Sequence, residues 1–225
     1  MEPTTTTHQS NHLAPIRRAL GPEWDGLGSA IRRHYDLPPQ SEAQLEVEGV
    51  MQVDFSAVGK LFITVSRLFD ALVPYRGRDI PVRVRNWSRA DSGAMFWHRT
   101  FRYPGKSPVI FQSRMEYAGD RQIVESVKFG LGIRMRLSAE GESLRYDSQG
   151  YQWKLGRLRL RIPDWLLLGK AVIKETPISE QAFRVDFEIN HPLWGRTFEY
   201  TGEFGFSPVS EALDVPSSDL SSETA

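Results

Sequence analysis

The 225 residues include 40% hydrophobic side chains, 28 basic and 28 acidic residues, and no cysteine. A chain of this size and apolar content buries a sizeable core, and zero net charge supplies no global field for nucleic acid or an anionic membrane. Without cysteine, disulfides, thiolate metal sites and a cysteine nucleophile are excluded, which fits a reducing cytoplasm.

In chain order, the opening MEPTTTTHQSNHL lacks the basic start and apolar core of a secretory signal, and no stretch reaches the eighteen or so apolar residues that span a bilayer. A soluble, cytoplasmic protein is expected. Thr-rich residues 1–13 and Ser-rich residues 207–225 bury too little to offset the cost of ordering, so they read as disordered tails around one β-rich domain over 14–206. Ala14 to Leu20 and Pro22 to His34 read as two short helices, the second opened by its proline and stopped before Pro38-Pro39. Gln44 to Phe55 is ambiguous; a strand with an irregularity at Gly49 is preferred.

Ser56 to Val73 is the clearest helix. Val58, Leu61, Phe62, Val65, Leu68, Phe69 and Leu72 recur at three- and four-residue steps, with Ser56 as N-cap. Its apolar stripe needs a β face to cover, and its polar face is too poor in cations for a helix lying on a membrane.

From Pro81 to Phe206 the chain alternates apolar and polar residues between turn signals such as Pro104-Gly105, Gly119-Asp120, Glu140-Gly141 and Gln149-Gly150. Val82 and Val84 alternate with arginines, as do Leu158, Leu160 and Ile162, and Phe183, Val185, Phe187 and Ile189 alternate with charged residues. Each strand then has one dry face, and a dry face repeated over about ten strands must close on itself or be capped. The fold expected is mainly β (α+β): an antiparallel meander forming a barrel or strongly curved half-barrel, with N-terminal helices and one amphipathic capping helix. Asp164 to Gly169, DWLLLG, reads as a helical turn plugging one end.

Polar residues in a dry register are the informative ones, because burying them costs free energy unless each finds a partner. Glu125 shares its face with Ile123, Val127 and Phe129; Arg99 shares one with Met95, Trp97 and Phe101; His191 follows Phe187 and Ile189; His98 accompanies Phe96 and Thr100. Arg99 or Arg114 reaching Glu125 inside the barrel would satisfy both ions. A partly unpaired Glu125, with His98 or His191, is the catalytic alternative. The histidines, at 8, 12, 34, 98 and 191, have no metal-ligand spacing, and no phosphate loop, nucleophile elbow or dinucleotide fingerprint is present, so no metal or cofactor is expected. Between Arg121 and Arg161 cations outnumber carboxylates, giving a basic outer stripe that reads as a solvated face or as a site for an anionic partner or lipid head group. Nucleic acid is disfavoured, because the alternate positions read as buried rather than as exposed stacking aromatics.

The blocks Ser92-Gly93-Ala94-Met95-Phe96-Trp97-His98-Arg99-Thr100-Phe101, Ser113-Arg114-Met115, Phe129-Gly130-Leu131-Gly132-Ile133-Arg134, Ile162-Pro163-Asp164-Trp165-Leu166 and His191-Pro192-Leu193-Trp194-Gly195 resemble a bacterial family of unknown function, number 4166 among such domains. The resemblance runs from about Ala14 to Phe206 and implies no established activity. It implies at most a partnership with an oxidoreductase, since some relatives join the domain to a dinucleotide-binding one.

The residues themselves suggest a binding module for an apolar or amphipathic anionic small molecule. Trp97, Phe101, Phe129, Tyr151 and Trp153 would line its pocket, with Arg99, Arg114 and Glu125 as the directed polar groups. The alternatives are an enzyme acting on a hydrophobic substrate through a buried Glu125, and an interaction domain whose basic strand face docks an acidic partner.

Overall fold

The computed structural model describes residues 13–66 and 72–206. Strands β1 (Gln44–Phe55), β2 (Gly77–Arg89), β3 (Ser92–Phe101), β4 (Val109–Gly119), β5 (Gln122–Ser126), β6 (Leu131–Glu140) and β7 (Ser143–Leu155) pair antiparallel in sequence order. β8 (Leu158–Ile162) folds back on the second half of β7, while β9 (Lys170–Pro177) takes the first half, Leu144 to Asp147. β10 (Ala182–His191) and β11 (Gly195–Phe206) follow, and β11 closes onto β1 from Val47↔Phe206 to Phe55↔Phe198. Ten strands thus form a closed antiparallel barrel, with β8 outside it as a hairpin extension. Ten strands enclose more width than the roughly eight whose side chains fill a barrel, so room is left inside.

The two ends differ. At the proximal end the strands are joined by tight turns, such as 119–122 and 140–143, and helices α1 (Pro15–Leu20) and α2 (Ser29–Tyr35) pack there. The distal end carries the long connections. The expected helix from Pro22 to His34 is broken: a 3-10 turn, Gly21–Gly26, precedes α2. Gly28 explains the break. Its N–H donates to the Glu142 carbonyl at 2.9 Å, and a Cβ there would lie 2.7 Å from the Pro177 ring, so the chain must bend to reach the β6–β7 turn. α2 then inserts His34 and Tyr35, both nearly fully buried, into the barrel. A plug from the N-terminal helices was not foreseen; the sequence pointed to a single covering helix.

Helix α3 (Ala57–Ser66) lies at the distal end, with the Ser56 hydroxyl accepting the Gly59 N–H at 3.1 Å as its cap. Phe62 faces the interior and Ile63 is buried, whereas Leu61, expected in the apolar stripe, is 66% exposed. The second half of the expected helix runs through residues 67–71, outside the described residues; Leu72 and Val73 are not helical and line the interior. β1 pairs with β11 continuously across Gly49, and its irregularity falls between Met51 and Val53 against β2.

One alternation breaks its expected rule. Leu158 and Leu160 are 55% and 41% exposed, because β8 projects past the closed wall, where no opposite wall covers it. The turn Asp164–Leu166 forms as expected but only partly plugs the end: Leu167 and Leu168 point inward while Trp165 and Leu166 are exposed.

Candidate functional site

The barrel encloses a cavity of about 330 Å³, lined mainly by apolar and aromatic side chains from every wall. That volume lies at the lower end of the roughly 300–1,000 Å³ usual for small-molecule sites. Its walls include Trp97 and Phe101 of β3, Met115 of β4, Phe187 of β10 and Phe198 of β11. Two polar clusters interrupt them.

The first spans three adjacent strands. Alternation turns Arg99 of β3, Ser113 of β4 and Glu125 of β5 inward. Glu125 Oε1 accepts a 2.6 Å bond from the Ser113 hydroxyl and a 3.0 Å bond from the Arg99 guanidinium, whose second contact is Ser113 at 3.0 Å. The guanidinium also lies 4.1 Å from the Trp97 ring centroid and 5.0 Å from that of Phe111. A planar cation between aromatic faces and a carboxylate is well matched on each side.

The second cluster joins the plug to the opposite wall. The Tyr35 hydroxyl of α2 donates to Glu175 Oε1 of β9 at 2.5 Å, and the Tyr146 hydroxyl of β7 donates to the Tyr35 oxygen at 2.7 Å. Glu175 Oε2 is buried without a hydrogen-bond partner among the described residues. Burial pushes the Glu175 carboxyl up to about 7, against the downward pull of the two phenols and of Arg99; the Glu125 charge adds to the rise. Burial, with Glu175 beside them, also drives both phenols well above their ordinary value. Tyr200 of β11 lines the same space; burial raises it too, and it feels the charges of Arg99, Glu125 and Glu175.

His34 adjoins both clusters. Its ring lies edge-on to Trp97 at 5.5 Å, and its Nε2 is 3.3 Å from the Asn86 amide, while Nδ1 is buried without a partner among the described residues. Burial, aided by the Arg99 charge, lowers it to about 3, so the imidazole is neutral. The interior near pH 7 therefore holds one compensated ion pair, one carboxyl poised between its two states, a neutral imidazole and protonated phenols.

Of the residues singled out in the sequence, Trp97, Arg99, Phe101, Glu125, Tyr151 and Trp153 come together around the cavity. The other four do not. Arg114 follows the inward Ser113 and so faces outward, where it pairs with Glu116 at 2.9 Å. Phe129 sits in a turn with φ +55° and is 63% exposed. His98 lies on the outer face against Gln112 at 3.1 Å. His191 is held at the distal rim, Nε2 on the Trp165 carbonyl at 2.7 Å and Nδ1 accepting the Leu193 N–H at 3.1 Å, so backbone groups occupy both nitrogens. Of the expected ion pairs, Glu125 makes the one with Arg99.

Glu175, Tyr35, Tyr146 and Tyr200 were missed. For Glu175 the signal was present: Ala171, Ile173 and Glu175 alternate as Ile123 and Glu125 do, placing a carboxyl in a dry register. Tyr35 had no such signal, because its role depends on where α2 docks.

Strands β1–β7 and β9–β11 thus form a closed antiparallel β-barrel around a mainly apolar chamber into which, among the described residues, the carboxyl groups of Glu125 and Glu175 project. The chain belongs to the family described as a domain of unknown function (DUF4166), whose model matches residues 27–204, a span that takes in α2 and its tyrosine. No curated protein matches the chain.

Proposed function

We propose that the barrel binds an apolar or amphipathic small molecule, its hydrocarbon part against the aromatic walls and its polar end between Glu175, Tyr200 and the Arg99–Glu125 pair. The observation that carries this reading is the wholly buried Glu175 Oε2, without a partner among the described residues, beside an apolar cavity. An unmatched buried acceptor of this kind is costly unless something in the chamber donates to it. The anionic head expected from the sequence is the weaker fit, since Arg99 is already compensated by Glu125 and a second carboxyl lies nearby. A neutral hydroxyl or amide that donates to Glu175 suits the chamber better.

Protein purified natively from cells is expected to show, by native mass spectrometry, a bound small molecule that organic solvent extracts. The emptied protein should then bind the neutral fluorophore N-phenyl-1-naphthylamine, and Phe187→Trp, which fills the chamber, should weaken that binding. Clean protein that also ignores the fluorophore would remove the reading.

A second reading is proton transfer on the bound molecule. It rests on Glu175 rather than Glu125, because a carboxyl near 7 both takes up and releases a proton at neutral pH. Incubation in heavy water should then place deuterium on carbon in the extracted molecule. Glu175→Gln should stop that exchange while leaving fluorophore binding in place; exchange that continues in the variant rules Glu175 out.

A further inference from the structure

We propose that the distal end of the barrel docks on the surface of an anionic lipid bilayer, with the β7–β8 hairpin as the entering element.

The hairpin is amphipathic beyond the needs of the fold. Register pairs Trp153 with Leu160 and Leu155 with Leu158 on one face, and Lys154 with Arg159 and Gln152 with Arg161 on the other. Leu155, Leu158 and Leu160 are each more than 40% exposed. They are not isolated. Of the thirteen large hydrophobic residues exposed among the described ones, nine lie on the distal connections, including Trp165 and Leu166 after the hairpin, Leu193 and Trp194 between β10 and β11, and Leu61 of α3. Contacts tie the last three of these segments into one rim that follows the hairpin: His191 bonds the Trp165 carbonyl and stacks on Trp194 at 3.9 Å, and Phe62 of α3 meets Trp194 at 5.8 Å. An apolar rim gathered on one end is a contact surface rather than scattered exposure.

Charge selects the partner. The whole chain is neutral, yet the described distal segments 56–66, 72–76, 102–108, 127–130, 154–169 and 192–194 carry nine lysines and arginines against one carboxylate, Asp164; of the nine, Arg76 is paired at 2.8 Å with Asp54 at the end of β1. Among the described residues Lys154, Arg157, Arg159 and Arg161 form no ion pair. Elsewhere in the basic stripe the cations are engaged: Arg121 with Glu23, Arg145 with Asp147 and Arg136 with Asp120. Uncompensated cations on long stems around exposed leucine and tryptophan match a surface of anionic head groups over hydrocarbon. The contact is peripheral, because the barrel's outer wall carries ion pairs such as Arg83–Glu48 and Arg184–Asp186, which do not face lipid tails. Trp153 and Ile162 of the same hairpin line the cavity, so the docked end adjoins the chamber.

Co-sedimentation with vesicles tests this. The protein should pellet with phosphatidylcholine vesicles containing roughly a third phosphatidylglycerol, not with phosphatidylcholine alone, and raised salt should weaken the binding. The double variant Arg157→Glu/Arg159→Glu should lower vesicle affinity by more than about tenfold, and Leu158→Ser/Leu160→Ser should lower it as well. Both pairs are exposed and outside the cavity lining, so circular dichroism and fluorophore binding should stay as in the parent, which separates failure here from failure of the ligand reading. Absence of binding to anionic vesicles, binding that the hairpin variants leave intact, or capture of a protein through this rim without vesicle binding would overturn the proposal.

Discussion

Tyr35, in the last turn of α2, donates a 2.5 Å hydrogen bond to Glu175 on β9, 140 residues away in the chain. One phenol thus fastens the proximal plug to the barrel wall in an apolar interior, where an unmade polar contact is costly. Tyr35→Phe keeps the buried ring and removes the donor. Urea unfolding should show a loss of about 1–3 kcal/mol, and carbon NMR should show the Glu175 carboxyl titrating at higher pH, since a bond that holds it down is gone. An unmoved titration would show that Tyr35 does not govern it.

Glu175 and His34 pull stability in opposite directions with pH. The Glu175 carboxyl is raised from an ordinary 4.5 to about 7, so its contribution is full below about 4.5 and is lost as pH rises through 7. His34 is lowered from 6.5 to about 3, so its contribution is present above about 6.5 and is lost as pH falls toward 3. Between 4.5 and 6.5 the slopes oppose, each up to about 1.4 kcal/mol per pH unit. Glu175→Gln removes one of them, so the variant's urea midpoint should fall more steeply than the parent's on acidification through that window. Parallel curves would contradict the assignment.

The Arg99–Glu125 pair should behave as a buried unit. Its side chains are only 16% and 13% exposed, so Arg99→Met strands a carboxylate and is expected to cost about 3 kcal/mol. Arg99→Met/Glu125→Gln should recover much of that loss, because the uncompensated charge goes with it. Arg114→Met, which loses only a surface pair with Glu116, should change stability by less than about 0.5 kcal/mol. Chemical denaturation of the parent, Arg99→Met, Glu125→Gln and the double variant closes the cycle, with Arg114→Met as the surface control, and equal costs for the Arg99 and Arg114 variants would contradict the assignment.

Close approach of β1 and β11 depends on Gly49. A Cβ there would lie 2.1 Å from the Glu203 carbonyl oxygen and 2.6 Å from the Phe204 ring. Gly49→Ala must therefore push apart the two strands that close the barrel, with an expected cost of about 3 kcal/mol. Gly93→Ala, where none of the described residues stands within 4 Å, should stay within about 0.5 kcal/mol. Thermal melts of the pair would expose a mistaken register if the two losses were alike.

Much of the site was legible because a strand alternates with period two. Arg99 and Glu125 fell in dry registers and do meet inside. The same rule, applied to Ser113 and Met115, would have turned Arg114 outward, and applied to Ala171 and Ile173 it would have brought Glu175 in. Phe129 and Leu158 escaped the rule for another reason: a turn with positive φ and a hairpin beyond the closed wall have no facing layer, so an apolar side chain there remains in water.

By itself the sequence determined that the chain makes amphipathic antiparallel strands, where most of them turn, and that Arg99 and Glu125 share the dry face of their strands, because those follow from local periodicity and turn chemistry. Tertiary structure alone decided that β11 closes on β1, that α2 drives Tyr35 and His34 into the chamber, and that Glu175 lies beside them with its affinity for a proton raised. Those outcomes depend on contacts between residues far apart in the chain, and on the desolvation they impose, which no local pattern encodes.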